Sequence, residues 1–496
     1  MLTSPAFLRL QAQRQAPGGI VFAGRRRSYA EIADAVDELA AWLAARGVAP
    51  GQRVGVIAAN EPALVVSLFA LWGLGATVVP IAVRASRDEI ARCLAHAGAS
   101  AVLADPRRLD VAREAATAVG LPAWACDSDL PLAPRIARRG RAHGTGRTRP
   151  AAIAYTSGTT GAPKGVMLTH ENFLWATLAC ASARGDAPDT VGACLSPLTH
   201  TPVLVSHLLC RVLVGATAVL FERFDLAGVL DAVERFEITD LPLIGGMVFD
   251  VVAMGTVSAR VRDVVRKVSV GGAPTPMEAK HALARIFPGA EIIEAYGQTE
   301  STDGVTMARG TSVLDRPGTV GRTNPHVAVA VARPDGSHAA TDEVGEIVIG
   351  GPTVMAGYHR DRDATAAAVR DGWLHTGDLG RRDADGWLYV TGRLKDVIIT
   401  GGENVSPAEV EDVLRTHPDV ADVAVIGTPH PRWGEQVTAV VVPRPGASID
   451  RHRLTAFAGA RLAGFKKPRR IEVVGALPRN AANKVQTSVL RRQFGG

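Results

Sequence analysis

Apolar positions in the first part of the chain form two alternating patterns: short continuous runs, and longer runs with helical spacing. The short runs at residues 53–58, 76–80 and 101–103 predict buried strands. Residues 62–74 are apolar almost all round and predict a buried helix, and residues 88–96 predict a second helix. Strands that alternate with helices in this way predict a parallel sheet layered by helices.

Local signals mark where several helices begin. Ser28 followed three residues later by Glu31 is the pattern of a helix N-cap with a capping box. Thr169 precedes another predicted helix, which extends to about Ala183. The alternation then continues through predicted strands and helices at residues 192–196, 202–214, 217–221, 226–236 and 268–270.

The pattern changes twice in the second half of the chain. After Val320, short strands at residues 327–331, 345–349 and 387–390 are separated by turns, which predicts an antiparallel subdomain. Near Arg393 a mixed pattern begins that predicts a small α+β unit. At 496 residues the chain is too long for one core, so we expect an α/β multidomain protein.

The amino-acid composition indicates which class of protein this is. An apolar fraction of 47% with 21% charged residues is ordinary for a globular protein. The first residues lack the pattern of a signal peptide, and the longest apolar run, at residues 63–81, is interrupted by serine, glycine and proline. We therefore expect a cytoplasmic protein. Five scattered cysteines without a Cys-x-x-Cys pair predict neither a disulfide framework nor a zinc site.

The net charge of +6 comes partly from a glycine- and arginine-rich segment at residues 135–149. A basic arm for nucleic acid is one interpretation of that segment, but a solvated linker is favoured. Excess positive charge also suits an enzyme that binds polyanionic substrates.

Residues 155–165 read Tyr-Thr-Ser-Gly-Thr-Thr-Gly-Ala-Pro-Lys-Gly and lie between two predicted strands, 151–155 and 166–168. Glycines bring backbone amides close to a ligand, hydroxyls add donors, and a lysine adds charge, so the loop predicts polyphosphate binding. It is not a Walker A loop, because Pro163 precedes the lysine and Gly165 follows it. The candidate phosphate-binding residues are Thr156, Ser157, Gly158, Thr159, Thr160, Gly161 and Lys164.

This stretch resembles the phosphate loop of the adenylate-forming superfamily, which includes acyl-CoA synthetases, peptide-synthetase adenylation domains and luciferases. Further motifs in the family's order extend the resemblance from about Ser28 to Arg491, closest in pattern to stand-alone acyl- or aryl-CoA ligases. The resemblance implies an N-terminal domain at residues 1–392, made of layered α/β sheets with a small β-barrel-like subdomain, that binds ATP and the acid. It also implies a small mobile C-terminal lid domain at residues 393–496.

Residues 294–300, Glu-Ala-Tyr-Gly-Gln-Thr-Glu, resemble a second family motif. The resemblance implies that Tyr296 lies along the adenine, Thr299 bonds the α-phosphate and Glu300 holds Mg²⁺, as suits a hard dication. The resemblance also implies that further residues contact the nucleotide or line the acyl pocket, namely Glu294, Ala295, Gly297, Gly271, Gly272, Ala273 and Pro274. His200 matches a position at the acyl-pocket wall, and a packing histidine is an equal alternative there.

Four later segments complete the resemblance. Asp378 matches the carboxylate that binds both ribose hydroxyls, and Arg393 is expected near the ribose and phosphate. Lys395 matches the hinge about which the lid rotates. Gly401 and Gly402 match the path of pantetheine, since no side chain blocks their backbone. Lys484 matches the adenylation lysine, although Asn483 precedes it where the family more often has glycine.

The reaction that the resemblance implies joins a carboxylic acid to AMP, releases pyrophosphate and then transfers the acyl group to coenzyme A. The expected catalytic residues are Lys484, Glu300, Thr299 and Lys164, with ATP, Mg²⁺ and coenzyme A as cofactors. Alternatives are loading of an acyl carrier protein, a non-thiol acceptor or non-carboxylate substrate, and a non-catalytic ATP- or nucleic-acid-binding protein. The sequence does not identify which carboxylic acid is activated, and it does not decide between a monomer and a homodimer. Gly245-Gly246 predicts an unusual backbone in the pocket.

Overall fold

The computed structural model describes residues 4–126, 146–156, 164–272, 275–401, 403–479 and 484–495. Internal contacts divide the chain into two compact units. The first unit comprises Met1–Val329 with Ile349–His375, and the second comprises Ala330–Val348 with Thr376–Gly496. The predicted site residues Ser157, Gly158, Thr159, Thr160, Gly161, Ala273, Pro274 and Gly402 lie outside the described residues.

One sheet of the first unit carries the hairpin that flanks the phosphate loop. Its strands lie in the order Gly357–Tyr358, Lys164–Thr169, Pro150–Thr156, Thr77–Pro80, Arg53–Ile57, Ala101–Ala104 and Ala123–Ala125. Each pairing in the order from Pro150–Thr156 to Ala123–Ala125 is parallel. Both pairings made by Lys164–Thr169 are antiparallel. The predicted parallel arrangement is therefore confirmed for the central strands.

The second sheet of the first unit is also parallel at its centre. Its strands lie in the order Arg25–Ser28, Gly19–Phe22, Thr217–Leu220, Val191–Cys194, Asp240–Ile244, Lys267–Gly271, Glu291–Gly297, Gly304–Arg309 and Thr319–Thr323. Every pairing between Gly19–Phe22 and Glu291–Gly297 is parallel. The strands at each edge pair antiparallel.

Helices connect and cover these sheets, and their ends follow the predicted signals. They span Ser4–Gln13, Tyr29–Ala45, Pro62–Gly73, Arg87–Ala97, Leu109–Thr117, His170–Arg184, Leu226–Phe236, Gly246–Met254, Ala259–Val264, Met277–Ile286, Thr311–Asp315 and Arg362–Ala368. The predicted capping box forms, because the Ser28 hydroxyl accepts from Glu31 N and the Glu31 carboxylate accepts from Ser28 N. No helix among these described residues is long and apolar enough to cross a membrane.

Residues 202–214, predicted as one helix, contain a local irregularity. The helix begins at Thr201–Val203, widens into a π-helical stretch at Leu204–Leu209 and returns to α-helix at Cys210–Val214. π-helical turns arise from an extra residue in the helix and often lie at functional sites. Apolar periodicity does not reveal them, because one extra residue barely shifts a short pattern.

A buried ion network stabilises the amino ends of the strands in the second sheet. Asp240 accepts hydrogen bonds from Arg184 and Arg211, and Arg211 also pairs with Asp186. Burial alone would raise the pKa of Asp240, but the two arginines lower it to about 2. Because ligands bind outside the carboxyl ends of such strands, this network at the opposite end is structural.

The second unit combines two groups of strands with short helices. One group has the order Ala328–Ala332, Gly345–Gly350, Trp373–Arg382 and Leu388–Arg393, and its first three strands cross the unit bounds at Val329, Val348 and His375. The other has the order Glu403–Val405, Ile398–Thr400, Gly434–Pro443 and Val420–His430, with Arg470–Val473 paired to Gly434–Pro443. The helices span Pro407–Arg415, Arg451–Gly459 and Thr487–Phe494. Its antiparallel and α+β parts match the two changes of pattern in the sequence.

Candidate active site

Four neighbouring parallel strands bring several predicted site residues of the first unit to one edge. The strands Val191–Cys194, Asp240–Ile244, Lys267–Gly271 and Glu291–Gly297 all end there. His200, Gly245, Gly272 and Thr299 with Glu300 follow these four ends in turn. Carboxyl ends of parallel strands are where ligands bind in open α/β sheets, so the tertiary fold gathers residues that are distant in sequence.

Three glycines at this edge occupy positions that favour glycine over other residues. A Cβ on Gly297 would lie 2.1 Å from the carbonyl oxygen of Asp303, so the backbone there leaves no space for a side chain. Gly245 has φ 59° and ψ −119°, a conformation that belongs to glycine, and it precedes the helix Gly246–Met254. Gly272 has φ 76°. The unusual backbone predicted at Gly245 is therefore confirmed.

The two strands that flank the predicted phosphate loop form an antiparallel pair. Thr156 lies opposite Lys164 in the antiparallel register, and Tyr155 lies opposite Gly165. Both predicted strands are confirmed, and Lys164 is the first residue of the return strand. This register fixes Lys164 at the base of the loop, where its backbone is held by sheet hydrogen bonds.

One tyrosine joins the two charged residues that the sequence singled out. The Lys164 ammonium lies 4.8 Å from the ring centroid of Tyr358, within the range of a cation–π contact. The Tyr358 hydroxyl donates to Glu300 Oε1 at 3.1 Å. Burial raises the pKa of Tyr358, and the neighbouring Glu300 carboxylate raises it further, so the phenol stays protonated. Sequence patterns did not single out Tyr358.

The backbone around Glu300 is strained and tightly held. Thr299–Ser301 form a 3₁₀ turn, and Thr302 has φ 69°, which is rare for a β-branched residue. The Thr302 hydroxyl donates to the Thr353 carbonyl at 2.7 Å. Met355 N donates to the Glu300 carbonyl at 2.8 Å. Such strain persists only where surrounding contacts enforce it, and here these hydrogen bonds hold the backbone at Glu300 and Thr302.

Glu294, predicted to contact the nucleotide, uses its carboxylate inside the protein. It is 6% exposed and forms an ion pair with Lys280, which is 3% exposed. Burial raises the pKa of Glu294 and the Lys280 ammonium opposes that rise. Ala295 and Tyr296 follow it, half-buried, at the end of the same strand. A nucleotide contact at Glu294 stays a prediction, and it would have to use the backbone.

Asn60 holds the turn that leads to His200. Its side-chain amide donates to the carbonyls of Cys194 and Ser196 at 3.2 and 2.8 Å, and its oxygen accepts from Leu198 N at 2.8 Å. His200 itself is exposed and begins the short helix Thr201–Val203. Nothing in the sequence marked Asn60, since its partners lie more than a hundred residues further along the chain.

In the second unit, the predicted ribose carboxylate and its predicted arginine neighbour are paired. Asp378 lies opposite Arg393 in the antiparallel register, and Arg393 Nε is 2.8 Å from Asp378 Oδ1. Asp378 N donates to the Thr376 hydroxyl, and Gly377 N donates to Glu346. A pair of adjacent strands therefore presents both residues on one surface.

The predicted hinge residue lies in a short turn after this strand. Lys395 is the middle residue of the 3₁₀ turn Leu394–Asp396. Its side chain is exposed over much of its surface, but partial desolvation of the ammonium lowers its pKa. Arg491 Nη2 is 3.4 Å from Asp396 Oδ1, which ties the turn to the last helix.

Gly401 occupies a tight hairpin turn next to an aromatic residue. Thr400 lies opposite Glu403, so only two residues connect the strands, and Gly401 has φ 61° as such turns require. Gly401 N donates to the Trp433 carbonyl at 2.9 Å. The Trp433 ring stacks on His430, with centroids 4.1 Å apart, and the Arg469 guanidinium lies 3.8 Å from the ring centroid.

Lys484 lies at the end of a closed loop. Arg479 and Val485 form a β-bridge, and Gln486 N donates to the Pro478 carbonyl at 2.8 Å. Lys484 is exposed, and residues 480–483 lie outside the described residues.

The first unit holds a lysine at the base of a hairpin and a carboxylate at the carboxyl edge of a parallel sheet, and an α+β unit follows it along the chain. These features are those of an enzyme of the adenylate-forming class. Residues 8–359 match the family described as AMP-binding enzyme, and residues 409–484 match the AMP-binding enzyme C-terminal domain. The chain belongs to the AMP-binding enzyme family.

Individual relatives agree with this assignment along the whole chain. Feruloyl-CoA synthase from Amycolatopsis sp is 38% identical over 490 residues, which cover 95% of each chain. ATP-bound MatB from Rhodopseudomonas palustris has a TM-score of 0.88 and 30% identity, covering 100% of this chain and 99% of that one. O-succinylbenzoate coenzyme A synthetase from Bacillus subtilis, in complex with ATP and magnesium ion, has a TM-score of 0.85 and 28% identity, with 99% of each chain covered.

These findings confirm the fold class and the class of reaction predicted from the sequence. The chain is an AMP-forming acid–thiol ligase: it activates a carboxylic acid with ATP as an acyl-adenylate and forms a coenzyme A thioester. Non-catalytic ATP binding is therefore not the function of this chain.

Proposed function

We propose that the substrate is an aromatic carboxylic acid, adenylated at the strand ends of the first unit. The relative named feruloyl-CoA synthase supports the aromatic class, because it is similar over 95% of both chains. The observation that carries the proposed site is the linkage of Lys164 and Glu300 through Tyr358, which puts a cation and a carboxylate beside the phosphate hairpin.

In the proposed first step, a carboxylate oxygen of the acid attacks the α-phosphorus of ATP and the bond to the β-phosphate oxygen breaks. Lys484 would hold the acid carboxylate against the α-phosphate, and Thr299 would donate to an α-phosphate oxygen. Lys164 would neutralise the departing pyrophosphate. No nucleophilic side chain is needed, since positioning and charge neutralisation lower this barrier.

Glu300 suits the magnesium role assigned to it. Its Oε1 accepts one hydrogen bond from Tyr358, and a carboxylate has capacity for further ligands. Magnesium bound to nucleotides takes one or two protein carboxylates and otherwise phosphates and water. When bound, the ion would supply charge neutralisation at the phosphates.

We further propose that residues 393–496 act as a lid that rotates about Lys395 between the two steps. Asp378 and Arg393 would bind the ribose and phosphate in the first step. In the second step, a thiol attacks the acyl carbonyl, AMP leaves, and the thiol proton passes to solvent. Gly401 and Gly402 would line the pantetheine path, because their backbone carries no side chains.

Arg469 favours coenzyme A over a carrier protein as the thiol. Its guanidinium lies 3.8 Å from the centroid of the Trp433 ring, near Gly401, and a guanidinium suits the phosphates of a nucleotide. A carrier protein's phosphopantetheine lacks that nucleotide. Comparison of coenzyme A with pantetheine as acceptors tests this: coenzyme A should have the lower KM, and equal KM values would contradict a nucleotide site at Arg469.

With coenzyme A present, pyrophosphate and AMP should be released from Mg·ATP only when a suitable acid is also present. The measurement is pyrophosphate release with a panel of carboxylic acids that includes ferulate, other aryl acids, fatty acids and dicarboxylates. Controls omit the acid or add EDTA. We expect aryl acids to have the highest kcat/KM. Release of only ADP and phosphate across the panel would contradict adenylation, and a preference for fatty acids would contradict the aromatic class.

A further inference from the structure

We propose that Tyr358 is a positioning residue that holds Glu300 for the metal and keeps it from pairing with Lys164. This inference rests on the proposed function, because it takes Glu300 as the metal-binding carboxylate. Tyr358 contacts both charged groups at different parts of one side chain: the ring with the Lys164 ammonium and the hydroxyl with Glu300 Oε1.

The segment that carries Tyr358 is fastened to the site from several sides. The short strand Gly357–Tyr358 pairs with Val166 and Met167 of the phosphate hairpin, and His359 N donates to the Gly165 carbonyl at 2.7 Å. Three residues before Tyr358, Met355 N donates to the backbone carbonyl of Glu300 itself. The same stretch of chain therefore fixes the backbones that carry Lys164 and Glu300.

Further hydrogen bonds and one closely packed glycine restrict the backbone of this segment. The Asn172 amide donates to the carbonyls of Pro352 and Val354 at 2.8 Å each, and Tyr358 N donates to the Thr365 hydroxyl at 2.8 Å. Gly357 has φ 130°, and a Cβ there would lie 2.6 Å from Thr365 Cγ2. The tyrosine ring consequently has a defined position relative to the hairpin.

The chemical consequence concerns charge. A lysine and a carboxylate attached to neighbouring backbones attract each other, and a direct ion pair would cancel the charges that Mg·ATP requires. A phenol satisfies both groups without cancelling either: its ring face attracts the cation and its hydroxyl donates to the anion. Phenylalanine retains only the first contact, and leucine retains neither.

The test uses the full chain and measures nucleotide binding as well as turnover. Calorimetric titration with ATP is done in Mg²⁺ and separately in EDTA. We expect Tyr358→Phe to weaken Mg·ATP binding about 10-fold, the effect of losing one hydrogen bond to a charged group, with little change in EDTA. We expect Tyr358→Leu to weaken binding by about 3- to 10-fold more and also in EDTA, because the lysine loses its aromatic contact.

Turnover provides the second readout. The Mg²⁺ concentration for half-maximal pyrophosphate release should rise about 10-fold in Tyr358→Phe, while saturating Mg²⁺ should restore most of kcat. Tyr389→Phe is the matched control, because Tyr389 also donates to a carboxylate, Asp383 Oδ2 at 3.1 Å, and lies under an arginine, Arg381, at 4.1 Å. That variant should keep wild-type metal dependence.

Two results would overturn the inference: wild-type Mg²⁺ dependence in Tyr358→Phe, or an equal loss of ATP binding with and without the metal. Glu300→Gln separates this failure from failure of the proposed site. If Glu300→Gln changes the Mg²⁺ dependence and Tyr358→Phe does not, only the role of Tyr358 is wrong. If neither variant changes it, the assignment of Glu300 to the metal is wrong as well.

Discussion

Replacing Lys484 by alanine should lower the rate of acid-dependent adenylation by about 10²- to 10³-fold and leave the fold intact. Its ammonium would act only where negative charge accumulates between the acid and the α-phosphate. Lys484 is exposed, so losing its side chain should cost little stability. The measurement is pyrophosphate release, with thermal unfolding to check the fold.

The second half-reaction identifies what Lys484 does. Supplied with chemically synthesised acyl-adenylate and coenzyme A, Lys484→Ala should form thioester at close to the wild-type rate, because the loop has moved away by then. Arg492→Ala, which removes another exposed cation from the second unit, serves as the control and should retain both half-reactions. If thioester formation from the adenylate falls as far as adenylation, Lys484 serves both steps and the alternating mechanism is wrong.

Replacing Lys395 by proline should impair the second half-reaction and spare the first, which is the opposite of the effect expected for Lys484→Ala. Proline fixes φ and restricts the preceding residue, so the turn Leu394–Asp396 would lose the torsional freedom that a pivot needs. Adenylation should largely persist, while thioester formation should fall by about 10²-fold or more, since a closed lid cannot present the thiol path.

Lys395→Ala is the matched control for this experiment, because it removes the same ammonium and keeps the backbone free. It should retain thioester formation far better than the proline variant. Equal loss of both half-reactions in Lys395→Pro would contradict a pivot at this position. Equal loss of thioester formation in the alanine and proline variants would show that the ammonium matters and the backbone does not.

Most helices and strands of the first unit could be predicted because they depend on local patterns. The capping box at Ser28 and Glu31 forms, and the helix predicted at 226–236 is observed at Leu226–Phe236. The prediction missed a change of helix type, where the backbone departs from the number of residues per turn of an α-helix. The π-helical stretch Leu204–Leu209 lies inside a run that reads as an ordinary helix.

The side-chain partners of several site residues were not predictable, because no local pattern in the sequence links the two members of each pair. Glu294 resembles a nucleotide-contacting residue, yet its carboxylate pairs with Lys280 in a buried ion pair. Tyr358 follows Glu300 by 58 positions and reaches it only because a short strand joins the phosphate hairpin. Asn60 likewise acts on a turn in a different part of the chain.

By itself, the sequence determined the alternation of strands and helices, the phosphate hairpin and the family motifs, since each depends on residues that are neighbours along the chain. It also indicated the unusual backbone at Gly245. Only the tertiary structure decided which side chains meet at the carboxyl edge of the sheet, because strand order and register set those distances. The contact of Lys164 and Glu300 with one tyrosine follows from that register, and no local pattern contains it.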